Sequence, residues 1–336
     1  MIRLFIISNE SISNRDGKFY CDNIDLKSTP EGLDQVFNVN LLGRSSNINR
    51  SHEIKVTNVK IFSSIFSYLF SVLKSLKDKQ SKYLVISITP YTFFITILLK
   101  IFGKSPFVYL RSDGYKEYKA ILGPIGVPLY SCMFNIVSLF GKLISCSKQI
   151  LRNKKGHVVF PSQLDQDWFK NLSRGEIEQF KLLYVGRLRI EKGIFSLLTM
   201  IKGKNLDLAI VGAEKNFKNN YEDQNIKIYP NESNKKRLIK IYDDHNIFVL
   251  PSFTEGHPMA LIEALARRRP VIIFKEIQHV IDEKKGIFVS ERNIESFLKT
   301  LNFVKSNYSQ IIKEMELNKL PTKKDFIIDM AKIISK

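Results

Sequence analysis

Asn246-Ile247-Phe248-Val249-Leu250-Pro251-Ser252-Phe253-Thr254-Glu255-Gly256-His257-Pro258-Met259-Ala260-Leu261-Ile262-Glu263-Ala264-Leu265-Ala266 reads as strand, loop and helix in succession. The uncharged run Ile247–Leu250 has the composition of a strand buried on both faces of a parallel sheet. Pro251 to Gly256 forms the loop, and Pro258 reads as the first helical residue, where a missing N–H costs nothing. Glu255 and Glu263, eight positions apart, can then face one ligand. A helix N-terminus beside a glycine loop suits a phosphate group, which makes Gly256 a candidate binding position.

Leu182-Leu183-Tyr184-Val185-Gly186-Arg187-Leu188-Arg189-Ile190-Glu191-Lys192-Gly193 repeats the same grammar: an apolar strand, a glycine, then cations at a helix start. Together the two segments describe a site for a diphosphate bearing a sugar. Two carboxylates could also cleave glycosides hydrolytically, but a hydrolase has no need of Arg187 and Lys192.

Strand patterns recur on both sides of these segments. Arg3–Ser8, Val36–Leu42, Tyr83–Ile88, Phe107–Arg111 and Lys142–Cys146 alternate with helical patterns, and the second half continues with strands near residues 206–211, 226–229, 271–274 and 286–289. The alternation predicts α/β architecture with two doubly wound parallel sheets. Helices are expected over 191–201, 235–242 and 258–267. The boundaries follow as 1–170, 171–320 and a last helical segment, 321–336. Asp165-Gln166-Asp167 imitates a metal-binding Asp-x-Asp, yet in the crossover between domains it reads as the cap of a helix at Trp168. The five histidines show no ligand spacing, so no metal is expected.

Composition sets outer bounds. A chain of 336 residues with 44% hydrophobic and 25% charged composition can build two cores. Its net charge is +19, with 24 Lys+Arg against 12 Asp+Glu in residues 1–175 and 28 against 21 thereafter. Such a field attracts nucleic acid, anionic lipid or phosphorylated substrates without choosing among them. No zinc-finger spacing or RNP pattern supports nucleic acid. Three cysteines without CxxC spacing fit a reducing cytoplasm. The N-terminus reads as a first buried strand rather than a secretory signal. Val59–Lys74 reads as a strongly apolar helix followed by Lys77, Lys79 and Lys82, a combination typical of interfacial attachment. The uncharged run 120–141 is interrupted by Gly123, Pro124, Gly126 and Pro128, so no membrane-spanning helix is expected.

Tyr184-Val185-Gly186-Arg187-Leu188 with Glu191-Lys192-Gly193, and Pro251-Ser252 with Glu255-Gly256, Pro258, Glu263-Ala264 and Pro270-Val271-Ile272, resemble the two motifs of the large group 1 family of retaining GT-B glycosyltransferases. The likeness covers roughly residues 178–275. It implies two Rossmann-like domains facing across a cleft, with the C-terminal helix crossing back onto the N-terminal domain. It also implies that Arg187 and Lys192 hold the donor diphosphate, that Gly186 lets the backbone approach it, that Glu263 accepts the ribose hydroxyls and that Glu255 serves the sugar. The expected donor is a nucleoside diphosphate sugar. The acceptor is expected to be a lipid-linked or polysaccharide glycan at the anionic inner face of the plasma membrane. Asp113, in Arg111-Ser112-Asp113-Gly114 after a strand, is the candidate for steering the acceptor hydroxyl. Three departures stand out: Ser8-Asn9-Glu10 replaces paired glycines, Arg111–Asp113 replaces His and Gly, and Arg268 occupies a usual glycine position where a left-handed turn would cost about 1 kcal/mol. A nucleotide-sugar epimerase on the same fold is the enzymatic alternative, and a basic nucleic-acid-binding protein the alternative of another class.

Overall fold

The structure is a computed structural model that describes residues 1–172, 180–213 and 225–336. Two compact units divide it: Met1–Gln163 with Thr322–Lys336, and Leu164–Pro321. The division falls before the expected residue 170 because Leu164 and Trp168 are fully buried in the second unit's core.

In the first unit, β1 (Arg3–Arg15), β2 (Lys18–Cys21), α1 (Ile24–Leu33), β3 (Asn38–Ser45), β4 (His52–Ile54) and β5 (Asn58–Phe62) precede α2 (Ile65–Ser75). Then come β6 (Lys82–Ile86), α3 (Pro90–Ile101), β7 (Phe107–Leu110), α4 (Gly114–Leu122), α5 (Gly126–Phe140), β8 (Lys142–Ser145), α6 (Lys148–Leu151) and β9 (Gly156–Val158). The parallel strands lie in the order β5-β3-β1-β6-β7-β8-β9, so the chain changes direction of travel between β1 and β6. That is where open α/β sheets form their ligand crevice.

Three features depart from the expected pattern. β1 continues past Ser8 and folds back on β2 through Asp16-Gly17, both at positive φ (51° and 79°), the two-residue hairpin such a dipeptide favours. Residues 58–62 are strand β5 on β3, not the start of an apolar helix; Ser64, whose side chain accepts from the Ser67 N–H, starts α2 instead. The prolines near residue 126 do not end the helix, since Pro124 and Pro128 sit where helical N–H groups are unpaired anyway. The helical run Gly114–Phe140 spans 27 residues and by length and composition could cross a membrane. It bends at Gly123 (φ 66°), and α5 sends Tyr130, Met133, Phe134 and Val137 into the core.

The second unit contains β10 (Leu182–Val185), α7 (Ile194–Ile201), β11 (Leu208–Ala213), β12 (Ile226–Pro230), α8 (Lys235–Asp243), β13 (Ile247–Leu250), α9 (Met259–Ala266), β14 (Val271–Phe274), β15 (Ile287–Ser290), α10 (Ile294–Ser306) and α11 (Tyr308–Met315). Its parallel sheet runs β12-β11-β10-β13-β14-β15. The final helix, α12 (Lys323–Ser335), packs in the first unit: Phe326, Met330 and Ile334 join Leu4, Leu26 and Leu84 in one core, as expected of a helix crossing back. Lys82 Nζ donates to the Ile334 and Ser335 carbonyls at 2.5 and 2.7 Å, where a cation complements the helix C-terminus.

Candidate functional site

The two sequence motifs converge inside the second unit. β10 and β13 are neighbouring parallel strands, so the loops that follow them leave the same sheet edge side by side. After β10 a single 3-10 turn, Ile190–Lys192, replaces the expected helix start, because Gly193 adopts φ 66° and breaks the path before α7. A β-carbon at Gly193 would stand 1.9 Å from the Pro251 carbonyl oxygen. The β13 loop presses on this glycine, and the Phe253 N–H donates to the Glu191 carbonyl at 3.0 Å.

That close approach sets Lys192 Nζ 2.7 Å from Glu255 Oε1, with the side chains 24% and 8% exposed. Ser252 Oγ donates to the same carboxylate oxygen at 2.6 Å, and His279 Nε2 lies 2.9 Å from the Glu255 carbonyl. Gly186 closes β10, its N–H bonded to the Val211 carbonyl at 2.9 Å. Tyr184 Oη donates to the Arg187 carbonyl at 2.9 Å, which fixes the backbone while the Arg187 side chain extends from an exposed residue. Gly256 follows Glu255 in the loop. Pro258 is the N-cap of α9 rather than its first helical residue.

Neither α7 nor α9 has a side chain capping its N-terminus. Their first N–H groups thus have no capping side chain, and both helix dipoles favour an anion there. Glu263, one turn into α9, accepts from Tyr242 Oη at 2.9 Å. Burial pushes its carboxyl up to about 7, and the Tyr242 hydrogen bond pulls in the opposite direction.

Sequence reasoning missed what orients these groups. Tyr242 comes from α8 and carries no motif. Arg267 and Arg269, on either side of the position where relatives carry glycine, are 1% and 2% exposed. Arg267 pairs with Asp243 at 2.7 Å and donates to the Trp168, Lys170 and Asn171 carbonyls; Arg269 Nε donates to the Tyr242 carbonyl at 2.9 Å. Between them Arg268 has φ 55°, the left-handed turn expected at that position. Asp165 caps the short turn Gln166–Phe169, and Asp165 and Asp167 both pair with Lys235. Among the described residues no cluster of three potential metal ligands occurs.

In the first unit Asp113 caps α4, accepting from the Tyr115 N–H at 3.1 Å, and lies 3.5 Å from Arg152. Beside the crevice of that sheet, Arg111 pairs with Glu10 at 2.7 Å. Gln163 donates to Asp25, whose carboxyl burial pushes upward against the opposing pull of Arg111. Arg111 follows the end of the parallel strand β7, which was the available signal, whereas Glu10 lies within β1 at the register shift between Ile7 and Ser11.

Residues 167–319 match the glycosyl transferases group 1 family. An uncharacterized glycosyltransferase of Haemophilus influenzae is 30% identical over 145 residues, 39% of this chain and 41% of that protein. The putative teichuronic acid biosynthesis glycosyltransferase TuaC of Bacillus subtilis is 32% identical over 123 residues, 33% of this chain and 31% of that protein. Each match thus spans less than half of the relative's length. Anabaena HepE, solved in complex with UDP and glucose, superposes with a TM-score of 0.70 over 100% of both chains at 13% identity, a likeness of fold. Most of the second unit is thus similar to a glycosyl transferases group 1 domain, and the chain as a whole has the GT-B fold.

Proposed function

We propose that this protein is a retaining glycosyltransferase that moves a hexose from a nucleoside diphosphate sugar to a polysaccharide or lipid-linked glycan. The observation that carries the reading is the 2.7 Å pairing of Lys192 with Glu255 between two uncapped helix N-termini. Sugar transfer builds negative charge on the departing diphosphate while the anomeric carbon becomes cationic. Fixed cations and aligned N–H groups are what lower that barrier. Lys192 and Arg187 meet the diphosphate charge, with Gly186 and Gly256 leaving room for it, and no metal is required in this scheme. Lys192 then exchanges Glu255 for phosphate when the donor enters. Glu255, tied to Lys192 and Ser252, is a weak nucleophile, and its role is to bind the sugar and offset positive charge near the anomeric carbon. Glu263 accepts the ribose hydroxyls. Asp113 steers the acceptor hydroxyl. A glycan acceptor under assembly puts the enzyme in the cytoplasm, peripheral to the inner face of the plasma membrane.

Thermal melts with UDP-, GDP- and ADP-sugars test the donor assignment, beginning with UDP-glucose. A ligand bound only by the folded state stabilises it by about 2.7 kcal/mol at a hundredfold excess over its Kd. Lys192→Ala should lower transfer by about 100-fold or more with the fold retained, the scale set by losing one charge-stabilising donor. Transfer that continues in EDTA supports the metal-free scheme. Near-normal turnover of Lys192→Ala, or no shift with any donor, overturns the reading.

A further inference from the structure

Helices α2, α3, α4 and α5 form a layer over one face of the first sheet. α2 packs on α3, α3 on α5 and α5 on α4. Their inward sides supply Tyr68, Val72, Ile95, Leu99 and Phe134 to the core. Their outward sides are also apolar: Phe66 and Phe70 on α2 are 80% and 58% exposed, Phe94 and Ile101 on α3 are 54% and 72%, and Ile121 and Ile125 around the Gly123 bend are 75% each. A helix apolar on both sides has been built to be covered on both sides. Of the most apolar window in the run Gly114–Phe140, only 28% is buried.

Charge identifies what covers this face. Residues 65–142 carry 10 Lys+Arg against 3 Asp+Glu. Lys74, Lys100 and Lys119 stand in the last turns of α2, α3 and α4, each on an exposed residue beside the apolar side chains. Lys74 Nζ lies 4.4 Å over the Phe70 ring. α2 and α3 both connect parallel strands of one sheet, so their lysines emerge at the same edge. A second copy of this chain would bring like charge against like charge. Large apolar side chains flanked by lysines suit an interface whose rim is anionic and whose interior is hydrocarbon.

We propose that the outer side of the α2–α3–α4–α5 layer is the surface on which this protein docks to an anionic lipid bilayer. The phenylalanine and isoleucine side chains enter the acyl boundary and the lysines lie at the phosphate headgroups. Docking is interfacial, because the inward sides of α2, α3 and α5 are committed to the core and the Gly114–Phe140 run bends at Gly123. The inference deepens the reading of a glycan acceptor at a membrane, but it is tested without any donor.

The full chain is sedimented with phosphatidylcholine vesicles with and without phosphatidylglycerol, at low and high salt. Binding is expected only with the anionic lipid, weakened by salt. It should fall at least tenfold in the doubly substituted Phe66→Ser/Phe70→Ser chain and in Lys74→Glu/Lys100→Glu, since each lysine near the surface is worth about fivefold. Circular dichroism of both variants should match the unsubstituted protein, because all four side chains lie outside the core. Absence of vesicle binding, equal binding to neutral vesicles, or a solution dimer that Phe66→Ser/Phe70→Ser converts to monomer overturns the proposal. A donor-induced thermal shift that survives in these variants separates failure of docking from failure of the transferase assignment.

Discussion

A glutamate whose carboxyl is held near neutrality by burial makes the protein sensitive to pH in an unusual direction. The Glu263 value of about 7 lies above the ordinary 4.5, so the native chain keeps a proton that the unfolded chain has released through that window. Stability therefore falls as pH rises from 4.5 through 7, by about 3 kcal/mol in full. Glu263→Gln should flatten that slope in thermal melts between about pH 5 and pH 8. Donor affinity should rise over the same range in the unsubstituted protein, because the ionised carboxylate is the better acceptor for ribose hydroxyls. Tyr242→Phe removes the hydrogen bond that favours the ionised form and shifts the affinity profile to higher pH. A pH profile unmoved by either substitution would remove Glu263 from the site.

At the scale of elements, the site depends on two loops pressed together. Gly193→Ala meets both the positive φ and the Pro251 carbonyl, so it should cost at least about 1 kcal/mol in urea denaturation and depress transfer by separating Lys192 from Glu255. Full activity of Gly193→Ala would show that the contact does not set the site. The helix that carries Glu263 is anchored from behind by the Arg267–Asp243 pair. Arg267→Ala leaves Asp243 without its closest partner, and losing one member of a buried pair costs about 3–5 kcal/mol. Chemical denaturation measures this directly. By contrast Arg268, paired at 2.6 Å with Glu316 on the surface, carries little of that energy.

At the scale of the whole chain, α12 follows the second unit in sequence yet belongs to the first core. Ending the chain after Pro321 removes Phe326, Met330 and Ile334, all 2% exposed or less, and deprives Lys82 of its carbonyl partners. Limited proteolysis of that truncated chain should degrade the first unit quickly and leave the second unit, whose core is separate, resistant. Equal resistance of both units would mean that α12 is dispensable.

Short-range pattern carried a large part of this protein. The buried parallel strands around Val185 and Val249, the glycine loops that follow them, and the carboxylates and cations at their ends were legible because strand burial and turn chemistry are written in adjacent residues. Sequence placed a capping carboxylate before Trp168 and the resemblance marked residue 268 as a glycine position; the structure has Asp165 cap a turn that starts at Gln166, and gives Arg268 the left-handed φ of 55°. Sequence did not reveal β5, whose Val59-Lys60-Ile61-Phe62 runs without a break into α2, nor Tyr242 and the buried arginines, whose partners lie up to 99 positions away. Long-range packing alone decided those features, because a charge becomes structural rather than superficial only when a distant segment closes over it. The same closure brought Lys192 to Glu255, a contact across 63 residues that rests on β10 lying beside β13.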